Sequence, residues 1–279
     1  MLIRVFITGL ATLAVGLLAA GILLESSALG LAAVPFVIGL VLALAFRPQL
    51  EYAYLRRRPR DLDEPLVKLL ETQAPPWYAE RDEDARARLR RLTVLVQRAF
   101  DFRGQGFPGG EVPDDVQALL ASQAARALEP SDRVTMEPVE TMVVYKHAFP
   151  SPRFPEHWHH SELFAEDGVV LLDMERAVPG IMTPRTYFNV ALYECIRGAT
   201  LAATAPAYPP DLPDLPDWRA AAKALAGAEP NWVAGNIGLP EEFIDGEAVL
   251  QVLRLDFAEA FAKTYPAAAA HLAPRLAAA

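Results

Sequence analysis

Two stretches near the N-terminus, residues 5–24 and 28–46, carry no charged side chain and few polar ones. Each has about the ~20 residues that an α-helix needs to cross the hydrocarbon core of a bilayer. Only Glu25, Ser26 and Ser27 separate them, and so short a connection dictates a tight helical hairpin. Neither stretch has a polar face, which argues against a hairpin buried in a soluble core. A cleaved secretory signal is also a poor fit. The first stretch is longer than the usual apolar core of a signal, no clean small-x-small cleavage site follows it, and a second span comes at once. Pro35 and the glycines are compatible with spans, because a neighbouring helix can re-satisfy freed backbone groups.

The flanking charges orient the hairpin. Arg4 precedes the first span, Arg47, Arg56, Arg57, Arg58 and Arg60 follow the second, and the turn between has no Lys or Arg. Because positive residues stay on the cytoplasmic side, the expected location is the inner (cytoplasmic) membrane, with both termini and the soluble domain in the cytoplasm. The basic cluster is expected to lie against anionic headgroups. The chain therefore divides into a hairpin (1–46), a basic juxtamembrane linker (47–61) and a domain (62–279), with the lipid bilayer as partner of residues 5–46. Residues 1–61 have a charge balance of +3 against −9 for the whole chain, which leaves −12 on residues 62–279. A domain this acidic is not expected to bind nucleic acid, which needs a basic footprint. The one cysteine, Cys195, excludes an internal disulfide and a Cys-rich metal site.

Periodicity and turn residues predict an α+β domain, mainly helical with a small sheet. Helices are expected over 65–72, 81–100, 114–128, 184–204, 218–226, 246–264 and 266–278. Strands are expected over 139–145 and 168–173. Residues 101–113, with four glycines and two prolines, read as a loop, and 151–166 as irregular. A Pro-rich stretch, 206–216, interrupts the chain. A strand followed next by a long apolar helix with a central Glu is the general layout of zinc-helix metallopeptidases.

Four stretches, in order, resemble the MtfA-type zinc metallopeptidase family. Phe107-Pro108-Gly109-Gly110-Glu111-Val112 followed by Leu119-Leu120-Ala121-Ser122-Gln123-Ala124-Ala125 looks like its Gly-rich loop and following helix. Glu140-Thr141-Met142-Val143-Val144-Tyr145 and Gly168-Val169-Val170-Leu171-Leu172-Asp173 are similar to two of its strands. Asn189-Val190-Ala191-Leu192-Tyr193-Glu194-Cys195-Ile196-Arg197 sits where that family has an Asn-Val-Val-Leu lead-in to His-Glu-x-x-His. The resemblance spans roughly residues 65–275. It implies a zincin-like fold and a zinc-dependent peptidase ancestry. Active members of the family are linked to sugar-uptake regulation and a transcriptional repressor partner.

The motif itself is degenerate. In His-Glu-x-x-His, two histidines one helical turn apart bind zinc and the glutamate polarises a metal-bound water. Here Tyr193 and Arg197 occupy the histidine positions, and Glu194 keeps the place of the general base as a vestige. The third-ligand position aligns best with Arg254, with Asp256 or Glu259 as nearby alternatives. A phenol titrating near ~10 is a poor ligand at neutral pH, and a guanidinium has no lone pair to donate. No metal is expected at these positions. A Glu194–Arg197 pair, three residues apart on one helix, with Arg254 nearby, is the expected replacement.

A second concentration of chemistry lies in Glu156-His157-Trp158-His159-His160, where three of the five histidines fall within four positions. In an extended segment His157 and His159 share a side. With Glu156, Glu162 or Glu194 they offer an alternative zinc site, and the plainer reading is an aromatic-rich loop over a cleft. Cys195 is another cleft candidate, with core packing the simpler account. Arg185 and Tyr187 are expected at the start of the helix. Trp77, Trp158, Trp218 and Trp232 are core or groove material. The expected function is a membrane-anchored pseudopeptidase that holds a protein or peptide partner in its cleft. The alternative is an active zinc peptidase with a site rebuilt from His157, His159, His160 and Glu194.

Overall fold

In a computed structural model the chain forms two compact units, residues 1–59 and 60–279. Residues 2–58, 60–131, 133–201 and 215–278 are described. Most of the Pro-rich stretch 206–216 and the last three positions of the helix expected over 184–204 lie outside them.

The first unit is a pair of helices, α1 (Leu2–Leu23) and α2 (Ser27–Ala45), followed by α3 (Arg47–Arg57). α1 and α2 are long and apolar enough to cross a membrane. They pack through small residues: Ala14, Ala33 and Ala43 are buried, whereas Leu13, Val15, Ile22, Leu31 and Val41 point outward. The turn is closed by Glu25 at φ 49° and by the Ser26 amide donating to the Gly21 carbonyl across 2.9 Å. A Cβ on Gly21 would lie 3.0 Å from the Gly30 backbone nitrogen, so glycine is what lets the helices meet there.

The second unit begins with α4 (Glu64–Gln73), α5 (Pro76–Ala79) and α6 (Glu83–Ala99), whose first turn is capped by the Asp82 carboxylate accepting from the Ala85 amide. The chain then enters β1 (Asp101–Gln105), where the sequence predicted only loop. β1 is an edge strand of alternating exposure with a glycine inside it. Its pairing with a strand forty residues on gives no local signal. α7 (Asp114–Leu128) follows as predicted and is buried along most of its length. β2 (Thr141–Tyr145) is next, then short strands β3 (Phe149–Pro150), β4 (Trp158–His159) and β5 (Ser161–Phe164), and β6 (Val169–Asp173). The segment read as irregular thus contains two strands of its own, and β4 pairs antiparallel with β3.

The main sheet has the order β1-β2-β6-β5, parallel except for the antiparallel edge strand β5. Alternation along β2 and β6 buries Met142, Val144, Val170 and Leu172 against the helices. α8 (Met174–Met182) follows β6 directly, capped by the Asp173 carboxylate, so the strand's next element is not the long helix that the sequence led us to expect. That helix, α9, is Val190–Leu201 and starts six residues late. Residues 183–189 instead turn back over α8, where a Cβ on Gly180 would lie 2.5 Å from the Phe188 carbonyl oxygen. α10 (Trp218–Ala226) and α11 (Trp232–Ile237) lead to α12 (Gly246–Asp256) and α13 (Ala258–Thr264), one predicted helix broken at Phe257, and then to α14 (Pro266–Ala278). The observed class is α+β, mostly helical, with small sheets.

Candidate functional site

α9 is the buried spine of the second unit, and its N-terminus is fixed by Asn189. The Asn189 side-chain oxygen accepts from the Leu192 amide across 3.1 Å, and its Nδ2 donates to Gln123 Oε1 on α7 across 3.1 Å. Arg126 of α7 donates to the same Gln123 oxygen across 2.6 Å and to Asp256 Oδ1 across 2.7 Å. Arg126 also lies over the Trp77 ring, 4.8 Å from its centroid. This network ties α7, α9 and the end of α12 together and sets where Tyr193, Glu194 and Arg197 fall.

Glu194 is fully buried. The Ser161 hydroxyl, on edge strand β5, donates to its Oε1 across 2.8 Å, and Arg197 Nη1 donates to its Oε2 across 2.7 Å. Arg197 keeps 29% side-chain exposure, so the pair runs from the core to the surface. Burial pushes the Glu194 carboxyl up, and Arg197 and Ser161 pull it back. The facing carboxylate in turn raises Arg197. Tyr193 is buried, packs edge-on against Phe188, and lies 5.4 Å from the Arg197 guanidinium at its ring centroid. Its hydroxyl accepts from the Asp245 amide across 3.0 Å, at the cap of α12, and burial raises the phenol. The expected Glu194–Arg197 pair is therefore present. Arg254 is not part of it: its Nε donates to Gln251 on its own helix across 2.8 Å. Asp256 belongs to Arg126, and Glu259 is exposed.

The three histidines go three ways. His157 is exposed and His159 is fully buried, so they do not share a side. β4 begins only at Trp158, and His157 lies in the turn before it, where its amide donates to the Phe154 carbonyl, so no continuous strand carries both histidines. His159 lies between the rings of Phe149 and Phe154, at centroid distances of 6.2 and 5.7 Å. Its Nδ1 is 3.9 Å from Glu162 Oε2, and neither of its nitrogens has a hydrogen-bond partner. Burial lowers His159, and Glu162 opposes this. His160 Nδ1 instead meets Asp173 Oδ2 at 2.6 Å. Among the described residues no three His, Cys, Asp or Glu side chains converge to hold a metal ion. The donor set proposed for a rebuilt zinc site thus does not fit one ion.

Cys195 is not a cleft residue: it is fully buried, and burial raises its thiol. Trp77 and Trp218 are core, while Trp158 is 66% exposed. Arg185 is exposed over Phe257 and Tyr187 is half-buried beneath Arg176. Sequence reading missed Ser161, and it offered Glu162 as a metal ligand, whereas the Glu162 Oε1 accepts from the Ser151 hydroxyl across 2.9 Å. It also missed Arg126–Asp256, fully buried at both ends. The available signal for Arg126 was a cation inside an Ala/Leu helix, one turn beyond Ser122 and Gln123. Comparisons with protein-family models, with curated proteins and with solved structures find no match to this chain.

Proposed function

We propose that the chain is a membrane-anchored, zinc-metallopeptidase-like protein of the MtfA type that no longer cleaves peptides and instead holds a protein or peptide partner. The observation that carries this reading is the Arg197–Glu194 contact at 2.7 Å. In the alignment with the family's motif, a fixed cation stands at the second histidine position. It uses the glutamate that would otherwise act on a metal-bound water, and a cation there repels a metal ion. Tyr193, at the first histidine position, has its oxygen engaged by the backbone of Asp245. Ser161 donates to the other Glu194 oxygen, so both carboxylate oxygens are engaged by protein donors and the group is buried away from water. The two apolar helices supply the anchor, and the arginines that flank them favour a domain on the cytoplasmic face.

The test is a cleavage assay on the full-length chain in detergent, with an unfolded protein substrate and added zinc. The reading predicts no cleavage that chelator removes. Chelator-sensitive cleavage that disappears in Glu194→Gln would overturn it and return Glu194 to the role of general base.

A further inference from the structure

α2 is 19 residues long. At 1.5 Å per residue it reaches about 28 Å, close to the ~30 Å hydrocarbon core of a bilayer. α3 starts one residue later, after Phe46, whose φ of −98° and ψ of 17° end α2, and Pro48 lies in the first turn of the new helix. A chain anchored by α1 and α2 therefore delivers α3 into the headgroup layer of the bilayer that the hairpin crosses.

The side chains of α3 suit that layer. Phe46 and Leu50 are 53% and 41% exposed. They lie four residues apart and so share a face, which exposed Ala53 and half-buried Tyr54 continue one and two turns on. Apolar and aromatic side chains left uncovered beside a membrane span belong at the boundary between headgroups and acyl chains. The last turn and the cap then carry Arg56, Arg57 and Arg58, all three exposed. The acids nearest in sequence do not serve them. Glu51 precedes Arg56 by five residues, beyond the i+4 reach of a helix. Asp61 is held by Arg90 at 2.8 Å. Guanidinium groups pair with two oxygens of a phosphate at once, which suits them to phospholipid headgroups.

We propose that α3 is an anionic-lipid-binding helix at the bilayer surface. Phe46, Leu50 and Tyr54 meet the acyl boundary, and Arg56, Arg57 and Arg58 take the phosphates of acidic phospholipids. The proposal rests on the membrane anchor of the proposed function and not on its peptidase-like part. The occupant is lipid and not a soluble anion, because the exposed apolar face and the arginines sit on one short helix beside a span. The attraction is local: residues 62–279 carry a balance of −12, so an anionic surface repels the domain itself.

The experiment uses the full-length chain reconstituted into vesicles of phosphatidylcholine with a minor fraction of phosphatidylglycerol. A donor fluorophore is placed at Ala53→Cys, the native Cys195 thiol being buried. Energy transfer is read to a trace of acceptor-labelled phosphatidylglycerol and, separately, of acceptor-labelled phosphatidylcholine. The expected result is roughly twofold more transfer to the anionic lipid. That excess should vanish in the triple variant Arg56→Gln, Arg57→Gln, Arg58→Gln, and it should fade in about 1 M sodium chloride, where the screening length falls to ~3 Å. Equal transfer to the two lipids in the parent overturns the proposal, and so does an excess that survives the triple variant. Loss of the excess in inorganic phosphate but not in chloride of equal ionic strength also overturns it, because the arginines would then hold a free anion. Flotation separates the two readings. A chain that floats with the vesicles yet shows no lipid preference overturns this proposal alone, and a chain that does not float overturns the anchor and this proposal with it.

Discussion

Arg197 Nη1 lies 2.7 Å from Glu194 Oε2, three residues earlier on the same helix, and joins the one buried carboxylate of α9 to a side chain that reaches solvent. Removing the cation should cost more than removing the anion. Arg197→Met leaves Glu194 buried with only the Ser161 hydroxyl. The expected loss is about 1–3 kcal/mol, below the usual value for a broken buried pair because Arg197 is partly exposed. Glu194→Gln keeps an acceptor for Ser161 and should lose less. Urea unfolding of the two variants measures this, and an Arg197→Met variant as stable as the parent contradicts it.

The same pair predicts a pH dependence in the variant. Burial raises the Glu194 carboxyl above its ordinary value of 4.5, and Arg197 is the larger of the groups that pull it back. A raised acid contributes stability below its unfolded value and loses it as pH rises through the folded one. Arg197→Met should therefore grow less stable as pH climbs above 4.5, more steeply than the parent. Parallel stability–pH curves for the two proteins rule this out.

His159 gives the opposite slope. Its folded value lies below the ordinary 6.5, because burial disfavours the imidazolium more than Glu162 favours it, while His157 and His160 also oppose it. The unfolded chain then takes up the proton first, so the contribution is full above 6.5 and lost as pH falls. His159→Phe, which keeps a ring between Phe149 and Phe154, should flatten the acid side of the curve. An unchanged acid slope would mean that His159 does not titrate differently on folding.

Asn189 is expected to matter beyond its cap. Asn189→Ala removes the acceptor for the Leu192 amide and a donor to Gln123, for a loss of about 2 kcal/mol. If the α7–α9–α12 network acts as one unit, Asn189→Ala and Gln123→Ala will not add in a double-mutant cycle. Strict additivity would show that the cap and the network are separate.

Topology can be read with thiol chemistry, because the native thiol of Cys195 is buried. A Ser26→Cys variant should react with a membrane-impermeant maleimide added from outside the cytoplasmic membrane, and a cysteine at Arg60 should not. The reverse pattern would place the domain on the other side.

The elements legible in the sequence were those whose signal is local. The hairpin followed from composition, and α7 and α10 from local periodicity. β1 was hidden because an edge strand with Gly104 and charged Asp101 and Arg103 has no apolar face to recognise. The start of α9 was misplaced because Pro184 marks a helix entry equally well, and only the fold-back over Gly180 moves the cap to Asn189. In the candidate site, Glu194–Arg197 was readable because its spacing lies on one helix. Ser161, and the Asp256 partner of Arg126, come from distant segments, and no spacing encodes a contact between residues 130 positions apart. The histidine run misled for a related reason: His157 and His159 share a side only if one strand carries both, and here β4 begins at Trp158, after His157.

The central claim of the proposed function is that a protein ion pair stands at the positions where the MtfA-type motif, which the sequence resembles, would hold zinc. The most direct measurement is metal content per chain, on full-length protein purified without a histidine tag. The account predicts less than about 0.1 zinc per chain and no loss of stability in chelator. A value near one zinc per chain, abolished by His157→Ala with His159→Ala, would contradict it.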